Sequence, residues 1–268
     1  MTVGAWKNIC LPSNESDSIW EIYHENSKTS RYDCFPSDSF VASRMSKLYE
    51  SLSYKEHPSI PLSTTFPHLE LSLEEAILQR VTTRKMKPVP MKHDLVGAIL
   101  YYAYGITRDK KDTKLMRSFR TVPSGGALYP LEIFFFSKYV DGLNPGIYHY
   151  NPIENSIEQV IPGDLTEKIG NCLTPVQTNL AFDTSMMIFI TAAFERETFK
   201  YGPRGYRFSL LEAGHVAQNI NLVSTAVNLG SVNIAGYYDR EVDDLLRIDG
   251  VTHSTIYMIG IGGNLDEE

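Results

Sequence analysis

A segment of helical periodicity at residues 208–230, FSLLEAGHVAQNINLVSTAVNLG, constrains the possible folds of this sequence more than any other feature. Its apolar residues occupy too wide an arc of the helix circumference to be covered by one small sheet. Gly230 follows as the expected end of the helix. We therefore predict a long helix that is buried on more than one side, either as the core helix of one domain or against its symmetry mate in a dimer.

Five shorter segments have the patterns of β-strands. Continuous apolar runs occupy residues 131–136, 186–194 and 255–263, and the last two predict strands in the centre of a sheet. Apolar and polar residues alternate at 146–150 and at 156–160, on either side of the sequence NPIEN. Two alternating segments around one loop predict an antiparallel hairpin.

Two helices are predicted before these strands. Ser72 precedes LEEAILQR and Glu75 lies three residues further on, which is the spacing of a capping box. A second amphipathic run, HDLVGAILYYAY at residues 93–104, ends before Gly105. The order of the predicted elements, two helices, several strands, the long helix and a final strand, indicates an α+β fold.

Residues 1–70 mix Ser, Pro, His and Tyr without a sustained period. We interpret them as an N-terminal extension that contains one short helix candidate, at residues 39–52. The tighter patterns begin after this stretch, and we expect residues 71–268 to form the main domain.

The net charge of −7 argues against a general affinity for nucleic acids or anionic membranes. Cys10, Cys34 and Cys172 form no C-x-x-C pair, and the histidines lack the spacing of a metal site, so we interpret His149 and the others as structural or exposed. The first residues lack the pattern of a signal peptide, and no run of about 18 apolar residues indicates a transmembrane helix. We expect a cytoplasmic protein with reduced thiols, no metal site, and no nucleic-acid or membrane partner.

The first segment that indicates chemistry is RVTTR at residues 80–84, the cradle segment. Its β-branched residues oppose continuation of the preceding helix, so we expect the chain to become extended. Alternate residues of an extended chain share a side, which places Arg80, Thr82 and Arg84 together as a phosphate cradle. The alternative is a solvated basic stretch, and this segment alone favours that alternative.

The second segment, RTVPSGGALYP at residues 120–130, has a proline, a serine and two glycines directly before a buried strand. We call residues 123–126 the glycine loop. Gly125 and Gly126 allow a flat ligand to approach the backbone amides closely, as a flavin ring requires. An ordinary tight turn explains the same composition equally well.

The third segment is KYGPRGYRF at residues 200–208, which its glycines and proline predict to be a loop before the long helix. We expect Lys200, Arg204 and Arg207 to stabilise a phenolate at Tyr201. These cations would lower the pKa of the phenol from its usual value of about 10, and a tyrosine so placed can act as a base or an acid. The alternative is that the cations pair with nearby acidic residues, namely Glu195, Glu197 and Glu212.

The fourth segment, LGSVNIAGYYD at residues 229–239, follows the long helix with an apolar, strand-like turn. Gly230 and Gly236 make it a second place where a ligand can approach the backbone. Four such segments, in this order, are the basis for a comparison with known families.

The segments resemble the nitroreductase-like flavoproteins, and in particular the SagB-type dehydrogenases found with thiazole/oxazole-modified peptide biosynthesis. RVTTR is similar to the family's Arg-x-Ser/Thr-x-Arg signature and PSGGALYPLE to its Pro-Ser-Ala-Gly-Ala-Leu-Tyr block. KYGPRGYRFSLLEAGHVAQN is similar to its Lys-Tyr-x-x-Arg-Gly-Tyr-Arg block, and YHENSK at residues 23–28 to its N-terminal extension. The resemblance spans most of the chain.

The resemblance implies a nitroreductase-like fold, with a mainly antiparallel central sheet flanked by helices and the long helix at the interface of a homodimer. It also implies that each FMN site is built from both chains. The cradle segment is expected to hold the phosphate and ribitol, the glycine loop to line the isoalloxazine ring, and the fourth segment to face the reactive edge. The residues implied in FMN binding are Arg80, Thr82, Arg84, Pro123, Ser124, Gly125, Gly126, Gly230, Ala235 and Gly236.

The activity implied by the resemblance is the FMN-dependent oxidation of a peptidyl thiazoline or oxazoline to the aromatic azole. Lys200 and Tyr201, the Lys–Tyr pair, are the implied proton-transfer residues. The implied partners are an azoline-containing precursor peptide and the cyclodehydratase subunits that form azoline rings. Two alternatives remain open: an NAD(P)H-dependent reductase of nitro compounds or quinones, which does not need the Lys–Tyr pair, and a non-catalytic flavin-binding scaffold subunit of a biosynthetic complex.

Overall fold

The computed structural model describes residues 19–112 and 117–265. The helices are α1 (Ile19–Asn26), α2 (Asp38–Met45), α3 (Leu73–Gln79), α4 (His93–Tyr104), α5 (Thr166–Cys172), α6 (Leu180–Asp183), α7 (Glu195–Tyr201), α8 (Pro203–Ala226) and α9 (Asp239–Leu246). The strands are β1 (Ser59–Pro61), β2 (Met86–Lys87), β3 (Ile106–Arg108), β4 (Phe119–Arg120), β5 (Leu131–Ser137), β6 (Gly146–Asn151), β7 (Ser156–Pro162), β8 (Met186–Ala193), β9 (Leu229–Ile234) and β10 (His253–Asn264).

An antiparallel sheet forms the centre of the fold, with its strands in the order β1–β7–β6–β5–β8–β10–β2 and with β9 paired to β10. Alternate residues of β5 enter two apolar clusters on opposite faces of the sheet. Helices α4 and α8 cover one face, and α5, α6 and α9 cover the other. The predicted α+β class, the central strands and the antiparallel β6–β7 hairpin are therefore confirmed.

The two helices before the sheet have the predicted boundaries. Ser72 accepts a hydrogen bond from the Glu75 amide at 3.2 Å, and the Glu75 carboxylate accepts one from the Ser72 amide at 2.8 Å, which completes the capping box. Helix α4 ends before Gly105, where a Cβ atom would lie 2.5 Å from the Tyr101 ring. Local sequence signals thus determine where both helices begin or end.

The long helix differs from the prediction at both ends. It begins at Pro203 instead of residue 208, since proline is compatible with the first helical turn and Gly202 adopts φ 56° before it. It ends at Ala226, followed by Asn228 in the left-handed region at φ 57°. Gly230 is not the helix end but lies in β9, opposite Gly262. No helix in the described part of the chain is long and apolar enough to cross a membrane.

Helix α8 is covered within one chain more fully than the sequence predicts. It packs against α3, α4, α7 and the sheet, and its buried face includes Val216 and Ile220. Leu210 and Leu211 remain 42% and 61% exposed. The exposed large apolar side chains of α8 therefore lie in its first half.

The N-terminal extension is attached to the main domain at several points. The helix candidate at 39–52 is shorter in the structure, Asp38–Met45, and is capped by Ser37. Strand β1 pairs with β7 at the edge of the sheet. Cys34 is exposed, Cys172 is buried and both are free, whereas Cys10 and the residues compared with a signal peptide lie outside the described ranges.

Candidate active site

The Lys–Tyr pair lies at the end of α7, directly before the turn into α8. The prediction that residues 200–208 form a loop is wrong, because α7 runs to Tyr201 and α8 starts at Pro203. Only Gly202 breaks the helical conformation, with φ 56° and ψ −144°. The Lys200 and Tyr201 side chains therefore project from a helix, which fixes their positions more firmly than a loop does.

The Lys–Tyr pair and the glycine loop lie against each other. Gly126 has φ 62°, and a Cβ atom at this position would lie 2.7 Å from Lys200 Nζ and 2.8 Å from Tyr201 Oη. Lys200 Nζ itself is 5.0 Å from the centre of the Tyr201 ring. The left-handed backbone at 126 favours glycine, and its missing side chain leaves room for these two polar groups.

Two hydrogen bonds hold the glycine loop and the residues next to it in place. Ser124 Oγ accepts a hydrogen bond from the Tyr129 amide at 2.9 Å, and Tyr129 Oη accepts one from the Arg120 amide at 2.9 Å. Pro123 is exposed, and Ser124, Gly125 and Gly126 are half-buried. The loop thus presents backbone at the surface on a fixed support, as a flat ligand would need.

Two glutamates lie behind the glycine loop. The sequence indicated them only as partners for cations. Glu197, on α7, is 0% exposed, and Glu212, on α8, is 2% exposed. A Cβ atom at Gly125 would lie 3.3 Å from a Glu197 carboxyl oxygen. Tyr104 Oη donates a hydrogen bond to Glu212 at 2.6 Å. We call Glu197 and Glu212 the acid pair.

The acid pair is protonated more readily than ordinary carboxyl groups. Burial and the nearby charge of Glu212 raise the pKa of Glu197 to about 8. Burial raises the pKa of Glu212 to about 7, against the opposing effects of the Ser124 and Tyr104 hydroxyl groups. Both carboxyl groups therefore exchange protons in the neutral pH range, where groups that transfer protons in enzymes typically titrate.

Arg204 and Arg207 do not face Tyr201, in contrast to the prediction. Arg204 donates to the Ser27 carbonyl at 3.3 Å, and Arg207 donates to the His24 carbonyl at 2.6 Å. Both side chains therefore hold α1 against the start of α8. They point away from the phenol because positions three and six residues beyond Tyr201 lie on other sides of the helices after the Gly202 turn.

The cradle segment is extended, as predicted, from the end of α3. Thr82 forms a parallel bridge with Ser231 of β9, and the Thr83 amide donates to the Ser231 carbonyl at 2.9 Å. Arg84 is exposed and Arg80 is half-buried. Neither guanidinium group has a hydrogen-bond or ion-pair partner within residues 19–112 and 117–265, so both are free to bind an anion.

The three residues predicted in the fourth segment lie at two ends of β9. Gly230 is buried at the start of the strand, where a Cβ atom would lie 2.8 Å from Thr83. Ala235 follows the strand and lines a cavity of about 530 Å³ together with Phe194 and Tyr206. A Cβ atom at Gly236 would lie 3.0 Å from the Gln177 side chain. The structure thus explains Gly230 and Gly236 by close approach of protein atoms.

The register of the sheet separates the cradle segment from the glycine loop. Ser231, beside the cradle segment, pairs with Ile261 of β10, whereas Leu131, which follows the glycine loop, is level with Ser254 through Ala192. These β10 positions are separated along the strand by about 20 Å. Within one chain the predicted FMN-binding residues therefore form two groups at opposite ends of the sheet.

Comparison with known proteins assigns the chain to a family. The model of the nitroreductase family matches residues 77–263. The chain is 35% identical over 181 residues to MJ1384 of Methanocaldococcus jannaschii, which is named as a nitroreductase, and the alignment covers 67% of this chain and 86% of that protein. It is 31% identical over 153 residues to the microcin B17-processing protein McbC of Escherichia coli, covering 56% of each protein.

Solved structures share the fold. A chain of the E. coli microcin synthetase McbBCD complex with truncated pro-MccB17 bound gives a TM-score of 0.62 at 21% identity, over 93% of both chains. A protein of Anabaena variabilis that is named as a nitroreductase gives 0.69 at 22% identity, over 91% of this chain and 47% of that chain. The predicted nitroreductase-like fold is confirmed, and because the family model extends from α3 to β10, the chain belongs to the nitroreductase family of oxidoreductases.

Proposed function

We propose that this protein is an FMN-dependent dehydrogenase that oxidises a peptidyl thiazoline or oxazoline to the thiazole or oxazole. The observation that carries the proposal is the contact of the Lys–Tyr pair with Gly126, since it combines proton-transfer groups with backbone that a flat ring can approach. The similarity to McbC, a protein named for processing microcin B17, supports a peptide as the substrate.

The residues of the chain fit FMN. Arg80 and Arg84 offer guanidinium groups without partners in the described ranges, which suits the phosphate. The glycine loop offers exposed backbone with a left-handed residue, which suits the isoalloxazine ring. Chromatography of the released cofactor tests this assignment: we expect FMN, and recovery of FAD would contradict it.

The Lys–Tyr pair would act on the hydrogen that leaves the azoline ring as a proton. Oxidation of the ring removes two hydrogens, and FMN, when bound, supplies the acceptor for the two electrons. Tyr201 Oη is the proposed base, and Lys200 Nζ lies 5.0 Å from the centre of its ring. Orientation of the ring against the glycine loop brings its C–H bond to these groups.

Mass spectrometry of an azoline peptide after incubation with the protein tests the activity, and we expect the loss of two hydrogens. Tyr201→Phe and Lys200→Ala should each lose about 10²-fold or more of this activity while FMN stays bound, because proton transfer is impaired. Arg240→Ala, at an exposed position on α9, serves as the control. Normal azole formation by both variants would refute the role of the pair.

We further propose a homodimer in which the cradle segment of one protomer faces the glycine loop of its partner. The two groups of FMN-binding residues lie about 20 Å apart along the sheet of one chain, and the exposed Leu210 and Leu211 offer apolar contact area. Light scattering measures the oligomeric state.

A mixing experiment tests the shared site directly. The double variants Arg80→Ala/Arg84→Ala and Lys200→Ala/Tyr201→Phe should each be inactive as homodimers. After the two are mixed and subunits exchange, a heterodimer contains one intact site if the site is shared between protomers, so activity returns. If all groups of a site come from one chain, every site stays defective and activity does not return.

The proposed partners are an azoline-containing precursor peptide and cyclodehydratase subunits. The support is the shared fold with a chain of the McbBCD complex, which is solved with truncated pro-MccB17 bound. Co-purification with the subunits of a cyclodehydratase tests this proposal.

The second candidate is an NAD(P)H-dependent reductase of nitro compounds or quinones, favoured by the 35% identity to MJ1384. Stopped-flow measurement of flavin reduction distinguishes the two activities. Rapid reduction by NAD(P)H but not by an azoline peptide supports the reductase, and the reverse supports the dehydrogenase. Absence of reduction by either would indicate a scaffold subunit.

A further inference from the structure

Buried carboxyl groups are normally paired with hydrogen-bond donors or cations, and the acid pair lacks most of these partners. Among the described residues, neither oxygen of the buried Glu197 side chain has a hydrogen-bond partner. Glu212 Oε1 accepts from Tyr104, but its second oxygen is also unpartnered. Such an arrangement costs stability, so it calls for an explanation other than folding.

The acid pair lies directly behind the Lys–Tyr pair. Glu197 and Lys200 are one turn apart on α7, and helical residues at this spacing are neighbours on one face. A Cβ atom at Gly125 would lie 3.3 Å from the Glu197 carboxyl group, and a Cβ atom at Gly126 would lie 2.7 Å from Lys200 Nζ. The two pairs therefore face adjacent residues of the same loop.

Charged and titratable groups from several elements act on the acid pair. Glu197 is affected by Glu212 on α8, Lys200 on α7 and the hydroxyl group of Ser124 in the loop. The groups that act on Glu212 are Ser124, Tyr104 on α4, Arg120 on β4 and Arg196 on α7. Arg196 is already paired with Glu132, so in the described residues no ion pair neutralises Glu197 or Glu212.

We propose that the acid pair accepts the proton that the Lys–Tyr pair removes from the substrate, an inference that rests on the proposed function. The azoline C–H bond breaks and its proton passes to the Tyr201 phenolate. The proton then moves through Lys200 to one carboxylate of the acid pair, which becomes a carboxylic acid, while the phenolate is restored. FMN, when bound, would supply the acceptor for the second hydrogen and the two electrons, so the protein itself gains one proton for each ring oxidised.

The titration of the acid pair suits this role. Burial raises the pKa values of Glu197 and Glu212 to about 8 and about 7, so the pair can take up a proton near neutral pH. It can therefore accept a proton without leaving two charges buried together. The charge of Lys200 acts on Glu197, which places the ammonium group within electrostatic reach of the acid pair.

Infrared spectroscopy of the FMN-loaded protein tests the shared proton without any substrate. We expect the C=O band of a buried carboxylic acid that disappears as the pH rises through the range of 7 to 8. Glu197→Gln should remove part of this band, and Glu212→Gln should shift the remaining transition to lower pH because a like charge is lost. Glu195→Gln, at an exposed position on the same helix, should change neither. A band that is absent, or unaffected by both buried substitutions, overturns the inference.

The rate of flavin reduction by an azoline peptide tests the proton acceptance. Glu197→Gln should lower this rate about 100-fold and abolish its pH dependence near neutrality, and Glu197→Asp should restore part of it. FMN content and thermal unfolding show that each variant is folded. If the wild-type protein is not reduced by the peptide, the proposed function fails. If the wild-type protein and Glu197→Gln are reduced equally fast, only the present inference fails.

Discussion

Two clusters of buried acidic residues lie close together in this protein and differ in their partners: one is paired with cations and the other is not. Both oxygens of Glu132, on β5, accept hydrogen bonds or form ion pairs, whereas Glu197 forms no ion pair in the described ranges. The donors to Glu132 are the Leu52 amide, Ser51 Oγ, His149 Nε2 at 2.8 Å and Arg196 Nη2 at 2.5 Å. One cluster binds the N-terminal extension to the sheet, and the other leaves its carboxyl groups available for protons.

The pKa of each buried carboxyl group depends on the partners around it. Burial alone would raise the pKa of Glu132, but Arg196 and His149 outweigh it and hold the pKa well below its usual range. His149 is buried, yet its hydrogen bonds to Glu132 and Glu158 raise its pKa above the usual value. Burial without such partners has the opposite effect on the acid pair. Pairing, and not burial itself, therefore separates a structural carboxylate from a titrating one.

The largest effect is expected from Glu132→Gln. Loss of this carboxylate leaves Arg196 buried without its counter-charge and removes one of the two carboxylates that pair with His149, which should lower the free energy of unfolding by about 3–5 kcal/mol at neutral pH. The difference should shrink as the pH falls below 4.5, since the stability from a carboxyl group with a lowered pKa is lost on protonation. Urea unfolding at several pH values measures it, with Glu195→Gln as control.

A change from Glu to Gln at position 197 should raise the free energy of unfolding, whereas the same change at position 132 lowers it. A carboxyl group whose pKa is raised from 4.5 to about 8 makes unfolding easier as the pH rises between these values, because the unfolded chain releases a proton that the folded chain retains. Glu197→Gln removes this dependence and should stabilise the protein by about 2–4 kcal/mol at pH near 8, and by much less near pH 5. If Glu197→Gln is less stable than the wild-type protein near pH 8, the buried carboxyl group at 197 does not cost stability as proposed.

Tyr104→Phe should test the role of a partner within the acid pair, because it removes the Tyr104 hydroxyl group that donates to Glu212. It also leaves the Leu131 amide, which donates to Tyr104 Oη at 3.2 Å, without its partner. We expect a loss of about 1–3 kcal/mol and a further rise in the pKa of Glu212. Tyr102→Phe, on the same helix, is the control, and thermal unfolding with infrared titration measures both effects.

The smallest effect is expected at the surface, where Arg207→Ala removes the hydrogen bond to the His24 carbonyl. We expect a loss of about 1 kcal/mol or less, because the contact is exposed to water. Faster proteolysis of the segment between α1 and α2 should accompany it. Equal cleavage rates for this variant and Arg240→Ala would show that the arginine does not hold α1.

Features encoded locally were predicted well. The capping box at Ser72 and the helix at residues 93–104 depend on neighbouring residues, and the apolar runs of β8 and β10 are long enough to identify. Residues 200–208 were misjudged because glycine and proline usually indicate loops. Here Pro203 occupies a first turn, and Gly205 packs on the Glu197 backbone, where a Cβ atom would lie 2.8 Å from a carbonyl carbon.

The members of the candidate site were predicted in part. The glycine loop and the Lys–Tyr pair carry recognisable residue types, and the structure brings them together. The burial of Glu197 and Glu212 could not be predicted, since charged residues in an amphipathic helix usually face solvent. The helical spacing of Glu197, Lys200 and Tyr201 was the only indication that these side chains lie near each other. It was missed because the segment that starts at Lys200 was interpreted as a loop.

The docking of α1 on α8 has a consequence for the order of events during synthesis. Tyr23 Oη donates to the Pro203 carbonyl at 3.2 Å, across 180 positions of sequence, and the Arg207 contact with His24 spans 183. The N-terminal helix therefore has no docking partner until three quarters of the chain has left the ribosome. Such distant contacts form late, so we expect α1 to dock after the shorter-range pairings among β5, β6, β7 and β8 have formed.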